Sequence, residues 1–161
     1  MRKRTEAEKI AMGMVEPILR ELSIRRDTRG YVPLLNMICY AYANPKKNFN
    51  EIMDYLEKED FYVGVVPAMK EEKDVFSLRP SMVRTIETAL ETSTRKNKEI
   101  LMSYGLEKLS IIAEDWKSSE KAWVEEQVLL EIGEKYAKYD THEKRVIVFF
   151  CKQILKNLKK E

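Results

Sequence analysis

The sequence has few of the residues that mark disulfide-rich, metal-binding or turn-rich proteins. It holds two cysteines, one histidine, five glycines and five prolines in 161 residues. So few turn-forming residues leave little room for a fold of many short β-strands. Cys39 and Cys151 each fall inside an apolar helical pattern, without the paired spacing of a zinc or redox motif. We expect both thiols to be buried, in a protein of a reducing compartment.

Long apolar runs and catalytic motifs are missing as well. No apolar stretch approaches the ~20 residues that cross a bilayer, and the charged N-terminus lacks the apolar core of a signal peptide. We therefore expect a cytoplasmic protein without membrane contact. Glycine-rich phosphate loops and the HExxH and GxSxG patterns are absent, and His142 lacks the partners of a metal site or a nucleophile–base pair. These absences predict that the protein is not an enzyme and carries no metal or cofactor.

The net charge gives no general attraction to nucleic acid. The 29 basic and 27 acidic side chains leave a formal charge of +2, so any nucleic-acid binding must come from a local patch. Basic residues do cluster, although a solvated surface is the commoner meaning of such clusters. The clusters are Arg2, Lys3 and Arg4; Arg25, Arg26 and Arg29; Lys46 and Lys47; and Arg95, Lys96 and Lys98.

Apolar residues recur at helical spacing along most of the chain, which predicts an all-α fold. The first helix is expected from Thr5 to Leu22, and Pro17 predicts either a bend or a new helix start within it. A basic loop then leads to a second helix from Tyr31 to Asn44. Asn48 is expected to cap a third helix.

A helix that opens near Ser77 is the functional candidate. Four apolar residues form its inner seam, and helical geometry places four polar residues on the opposite side, toward solvent. The seam is Val83, Ile86, Ala89 and Leu90; the outward residues are Ser81, Arg84, Thr85 and Thr88. The alternative interpretation is an ordinary solvated helix face.

The C-terminal third is predicted to be a helical extension. A segment around Leu106–Trp116 leads to a helix from Ser119 to Tyr139 and to a last helix capped by Asp140, which together form a hairpin. We expect one domain over residues 5–105, with residues 106–161 packed on it or forming a dimer interface. The last helix carries an apolar stripe too wide for a solvated face. The stripe is Val146, Ile147, Phe149, Phe150, Cys151, Ile154 and Leu158.

Two segments together resemble the C-terminal DNA-binding effector domain of the master response regulator of endospore formation. The first runs from about Pro17 to Ile38, where the pattern is helix, loop, a basic residue with Gly and Tyr, and helix. The second runs from Ser77 to Leu90, at the position of that family's recognition helix. The matching residues of the first segment are Glu21, Leu22, Ile24, Arg29, Gly30, Tyr31, Leu34 and Ile38.

The resemblance implies an all-helical fold that contains a helix-turn-helix and binds duplex DNA sequence-specifically, as a transcription regulator or an accessory to one. The helix from about Arg79 to Thr92 would read base edges in the major groove, and a short helix around Pro67–Lys73 would brace it. The base-reading candidates are Ser81, Met82, Arg84, Thr85 and Thr88, and the phosphate-binding candidates are Arg29, Arg79, Arg95, Lys96 and Lys98.

The chain departs from that family in several respects. Met82 stands where a basic residue is expected, while Glu87 and Glu91 add negative charge near the exposed side. The spacer from Pro67 to Ser77 is longer than the tight turn of a helix-turn-helix. The resemblance includes no phosphoacceptor receiver domain, so we expect control by something other than aspartyl phosphorylation.

These departures keep a second hypothesis open. On that hypothesis the protein is an interaction module that has kept the helical scaffold, lost DNA reading, and binds a partner through its apolar tail helices. The same tail could instead pair two copies of the chain, as the two half-sites of a symmetric operator require. Positive potential around Arg84 would favour DNA, whereas a broad exposed apolar surface from Val146 to Leu158 would favour a protein partner.

Overall fold

A computed structural model of the protein describes residues 4–58, 78–96, 98–107, 109 and 142–158. All regular structure within these ranges is helical, which confirms the all-α class. The helix-turn-helix stays a prediction, because its expected bracing helix, Pro67–Lys73, lies outside the described residues. The helices are α1 (Glu6–Glu21), α2 (Tyr31–Ala43), α3 (Phe49–Lys58), α4 (Leu78–Lys96), α5 (Lys98–Ser103) and α6 (His142–Leu158).

Several other predicted features also lie outside the described ranges. They include the caps at Ser77 and Asp140, the helix from Ser119 to Tyr139, and most of the segment Leu106–Trp116. Arg2 and Lys3 are outside them as well. Across the described ranges we find no helix with both the length and the apolar character that crossing a bilayer requires.

Helix α1 begins and ends with well-formed caps. The Thr5 hydroxyl oxygen accepts a hydrogen bond from the Glu8 backbone N–H at 3.2 Å, which satisfies one of the amides left open at a helix start. The helix continues through Pro17, so no new helix starts there. At its end the Ile24 N–H donates to Leu19 C=O at 2.9 Å, and Ser23 adopts the left-handed conformation with φ of 64°. This Schellman turn ends α1 and begins the basic loop, residues 23–30.

Helix α2 is the centre of the molecule. It contacts α1, α3, α4 and α6, and all but its last residues and Val32 are buried. Its polar Asn36 is 2% exposed, and its side-chain oxygen accepts hydrogen bonds from Arg4 Nε at 3.0 Å and Nη2 at 2.8 Å. Because a buried amide without partners is costly, this pair keeps the polar residue compatible with the core. Residue 4 is thereby held against the central helix.

The last helix belongs to the same hydrophobic core as the first four. The apolar stripe of α6 is buried throughout, from Val146 to Leu158, and α6 contacts α1, α2 and α4. The chain therefore covers this stripe with its own helices. The division into residues 5–105 and 106–161, and a dimer formed by the second part, stay predictions.

The two thiols lie in this core as expected. Cys39 is 1% exposed and Cys151 is fully buried. Burial raises the pKa of Cys39 to about 12 and also raises the pKa of Cys151 far above its ordinary value. Both cysteines are therefore thiols rather than thiolates at neutral pH, and they act as small apolar residues.

Truncating Phe150 tests whether α6 is an integral part of the fold. Phe150 is fully buried, so Phe150→Ala should lower the free energy of unfolding by ~3–5 kcal/mol. Ile10 is 61% exposed, and the matched control Ile10→Ala should change that free energy by less than about 0.5 kcal/mol. Urea unfolding followed by circular dichroism measures both. If Phe150→Ala were as stable as Ile10→Ala, α6 would not share the core.

Candidate functional site

Helix α4 carries the predicted apolar seam on its inner side. Val83, Ile86, Ala89 and Leu90 are all buried, with exposed fractions of 7% or less. Arg84 and Thr88 are exposed on the outer side, as predicted. The helix is thus held by its aliphatic residues, with at least one guanidinium and one hydroxyl facing outward.

Two of the five base-reading candidates do not face solvent. Met82 is 1% exposed and Thr85 is 9% exposed, so the predicted outward placement of Thr85 was wrong, and Met82, a base-reading candidate, is buried as well. Ser81 lies between the two environments and is half-buried. These residues are also covered from a second direction, because the basic loop that precedes α2 contacts α4 at Ser81, Met82 and Thr85. Arg84 and Thr88 remain as the fully outward pair.

Gly30 is the point at which the basic loop and α4 meet. A Cβ atom built on Gly30 would lie 2.5 Å from Thr85 Oγ1, 2.6 Å from the Ser81 carbonyl oxygen and 2.9 Å from Met82 Cα. Real Cβ atoms do not come so close to backbone atoms, so only glycine fits. The φ angle of Gly30 is −83°, which any residue can adopt, so the requirement is for space rather than for backbone conformation.

A groove runs between the basic loop and the outer side of α4. Its cavity has a volume of about 430 Å³, and three arginines line it: Arg25 and Arg29 from the loop and Arg84 from the helix. Thr28 and Thr88 line it as well, and the Thr28 hydroxyl donates to the Arg25 carbonyl oxygen at 2.8 Å. We call this cavity the loop–helix groove. Its charged groups are all cationic among the residues that the structure describes there, so it favours an anion.

A second and larger cavity of about 790 Å³ continues from Ser23 and Ile24 toward the end of α4. Three more basic residues line it, namely Arg20, Arg26 and Lys96. Its two carboxylates are both paired: Glu16 Oε2 accepts from Arg26 Nη2 at 2.7 Å, and Asp27 Oδ2 accepts from Arg25 Nη2 at 2.7 Å. Each pair offsets the negative charge of its carboxylate and, equally, the positive charge of its arginine. The net positive charge of this cavity therefore comes from Arg20 and Lys96.

Tyr31 connects the basic loop to α1 beneath this second cavity. Its hydroxyl donates to Glu16 Oε2 at 3.4 Å, the same oxygen that Arg26 contacts. Burial is the main cause that raises the pKa of Tyr31, so the hydroxyl stays protonated and can donate at neutral pH. A hydrogen bond with Tyr31 and the nearby charge of Glu16 raise the pKa of Arg26. The Gly-Tyr element thus fixes the loop from two sides: Gly30 against α4 and Tyr31 against α1.

The phosphate-binding candidates are distributed unevenly. Arg29 and Lys96 line the two cavities, whereas Arg79, Arg95 and Lys98 line neither of them. Arg95 and Lys98 are exposed, and Arg79 is half-buried. The acidic residues Glu87 and Glu91, which weaken the resemblance to DNA-binding proteins, also line neither cavity.

Sequence reasoning did not include Arg20, Arg25 and Arg26 among the site residues. The cluster Arg25–Arg29 was visible in the sequence, but its proximity to α4 is not, since the whole of α2 and α3 lies between the two segments. Arg20 gave the weaker signal of a basic residue in the last turn of a helix. In the described part of the chain no group of three or more His, Cys, Asp or Glu side chains could hold a metal ion.

No protein-family model, no curated protein and no solved structure matches this chain. The resemblance to the sporulation effector domain therefore stays a prediction that depends on the two segments from Pro17 to Ile38 and from Ser77 to Leu90. The expectations that the protein is not an enzyme and uses no cofactor stay predictions as well.

Substituting Gly30 tests the contact between the basic loop and α4. Gly30→Ala should lower the free energy of unfolding by about 1–3 kcal/mol, because the added methyl meets backbone atoms that can move only with the helix. Gly13 supplies a matched control, since a Cβ there has nothing within 4 Å and Gly13 lies inside α1. Gly13→Ala should therefore raise that free energy by about 0.5–1 kcal/mol. Urea denaturation of the two variants measures both changes in the free energy of unfolding, which should have opposite signs. If Gly30→Ala were neutral or stabilising, the close approach of Gly30 to α4 would be contradicted.

Proposed function

We propose that the protein binds duplex DNA through the loop–helix groove and the basic surface beside it. It would act in the cytoplasm as a transcription regulator of the sporulation-effector type, or as an accessory to one. The observation that carries this proposal is the convergence of Arg25, Arg29 and Arg84 on one groove, between a fixed loop and an exposed helix side. The two segments that resemble the effector family are the ones that meet there.

The electrostatics of this surface supports binding of a partner whose backbone carries phosphate groups. Guanidinium groups form two parallel hydrogen bonds with phosphate oxygens, and hydroxyls can add further donors. Arg20 and Lys96 extend the positive charge into the neighbouring cavity, where Glu16 and Asp27 are paired with arginines. A local surface of this kind attracts a polyanion even though the chain has a formal charge of only +2.

The burial of Met82 and Thr85 limits how much sequence each copy of the protein could read. Arg84 remains able to form a bidentate contact with guanine, and Thr88 can offer its methyl group to thymine. The arginines of the basic loop would contact the phosphate backbone and set the register. A second copy on a neighbouring half-site would supply additional specificity, which is why we include a dimer in the proposal.

The alternative function, a protein-interaction module that uses the apolar tail, has less support. Its discriminating feature was an exposed apolar surface from Val146 to Leu158, and those residues of α6 are instead in the core. Among the residues whose side chains the structure describes, Ile10 and Met102 are the large apolar ones with high exposure, at 61% each. Two isolated apolar residues are normal for a protein surface and do not indicate an interface.

A mobility-shift experiment with a pool of random duplexes tests the proposal. We expect a shifted band that weakens steeply as salt rises, because bound phosphates displace counterions. Sequencing of the bound duplexes over several rounds of selection should then show enrichment of a short motif. If no duplex shifted at low salt, or if the shift were insensitive to salt, DNA binding would have to be abandoned.

Two substitutions distinguish base reading from phosphate contact. Arg84→Ala should cost about 1–3 kcal/mol on the selected duplex and relax one position of the motif. Lys96→Ala should weaken binding to all duplexes alike. It should also make the slope of the logarithm of the binding constant against the logarithm of the salt concentration less steep by about 1, as expected for the loss of one phosphate contact. Lys9→Ala, at an exposed residue of α1, controls for loss of a single positive charge. Equal and sequence-independent losses in the Arg84 and Lys96 variants would show that Arg84 contacts only phosphate.

A further inference from the structure

A third cavity lined by basic residues lies at the other end of α2 from the loop–helix groove. It has a volume of about 230 Å³, and the side chains of Lys47, Lys152 and Lys156 surround it. Its remaining lining residues are apolar: Ala41, Pro45, Phe49 and Leu155. We call this cavity the lysine pocket. It joins the turn after α2 to the outer side of α6.

Lys47 is held at the rim of the pocket by two tyrosines. Its ammonium group donates to the Tyr40 hydroxyl oxygen at 2.8 Å and lies 5.3 Å from the Tyr40 ring centre and 5.5 Å from that of Tyr55. The two rings stack on each other with centroids 4.9 Å apart and an angle of 11° between their planes. These contacts restrict the positions that this long, exposed side chain can take, which lowers the entropy lost on binding an anion.

The other two lysines come from one helix. Lys152 and Lys156 are four residues apart on α6, so they project from the same side, where like charges repel. Lys152 also lies 6.0 Å from the ring centre of Phe49, at the apolar floor. None of the lining residues that the structure describes is acidic, although Glu51 on α3 contributes some negative potential at Lys47. Three cations around an apolar floor favour a ligand that is both anionic and apolar.

We propose that the lysine pocket binds an acidic segment of a protein partner, with one apolar side chain of that segment on the floor. A volume of about 230 Å³ is on the scale of a large amino-acid side chain and exceeds what a single phosphate group fills. Carboxylates before and after that side chain would face the ammonium groups of Lys47, Lys152 and Lys156. Charge complementarity of this kind gives specificity and speeds association.

Duplex DNA is the less fitting occupant of this pocket. Its backbone offers phosphates but no apolar group for Phe49 and Leu155, and lysines lack the forked geometry with which arginine recognises phosphate. The 13 residues of α2 separate its two ends by roughly 20 Å. The lysine pocket and the loop–helix groove can therefore be occupied at the same time, and neither proposal depends on the other.

Selection of peptides from a displayed library of random sequences, on the full-length protein, tests the lysine pocket. We expect enriched peptides with several Asp or Glu residues around one Leu, Ile or Phe. Their dissociation constants should rise at least about tenfold in the double variant Lys152→Glu, Lys156→Glu. High salt should lower the dissociation constants of the double variant, because it screens the repulsion, and should raise those of the original protein, because it screens the attraction. The variant Lys9→Glu reverses an exposed charge on α1 and should leave the dissociation constants unchanged.

The single variant Lys156→Glu guards against a folding defect, because Lys156 is exposed; it should also weaken the peptides severalfold while keeping the circular dichroism spectrum. Enrichment of basic or uncharged peptides, or no enrichment, would overturn the proposal. Acidic peptides that bind the charge-reversed variants as well as the original protein would also overturn it, since they would occupy another site. Displacement of bound peptide by a short duplex would identify nucleic acid as the occupant instead.

Discussion

The close approach of Gly30 to α4 is the contact on which the proposed site depends. With glycine at this position, the chain before α2 lies directly on the backbone of Ser81 and Met82. That contact places Arg25 and Arg29 opposite Arg84 and so forms the loop–helix groove. Without it the basic loop would be a solvated connection between two helices, and α4 would expose a different set of residues.

The same contact adds some groups to the proposed DNA-binding surface and removes others from it. It brings arginines of the loop to the outer side of α4, which raises the local positive charge, but it also covers Met82 and Thr85. A surface formed in this way is better suited to contacting phosphates than to reading many base edges. In the proposed complex with DNA, the outward groups that remain, Arg84 and Thr88, would carry the sequence preference.

Much of the local structure could be predicted from the sequence because its signals are local. The seam of α4 followed from helical spacing, and the cap of α3 followed from Asn48, whose side-chain oxygen accepts from the Glu51 N–H at 2.9 Å. The burial of Cys39 and Cys151 followed from their apolar neighbours. These features depend on residues within one or two helical turns of each other.

What the sequence did not reveal depends on contacts between distant segments. Helical periodicity identifies one buried side of α4. The contact with the basic loop, which lies far earlier in the chain, buries further residues of α4 but leaves no periodic signal. Contacts between distant segments also place Arg20 and Arg26 in the basic surface and form the lysine pocket between α2 and α6, so neither feature could be predicted from the sequence. Gly30 is among the residues that resemble the effector domain. The reason that no larger residue fits there is the backbone of α4, which the sequence alone does not place.

The measurement that tests the account most directly is the mapping of backbone amide shifts in the 19.0 kDa protein during titration with a short duplex. If the basic loop and α4 form one surface, the amides of residues 25–30 and those around Arg84 and Thr88 should shift together and reach saturation at the same duplex concentration. Shifts confined to one of the two segments, or centred elsewhere while these amides stay unchanged, would contradict it.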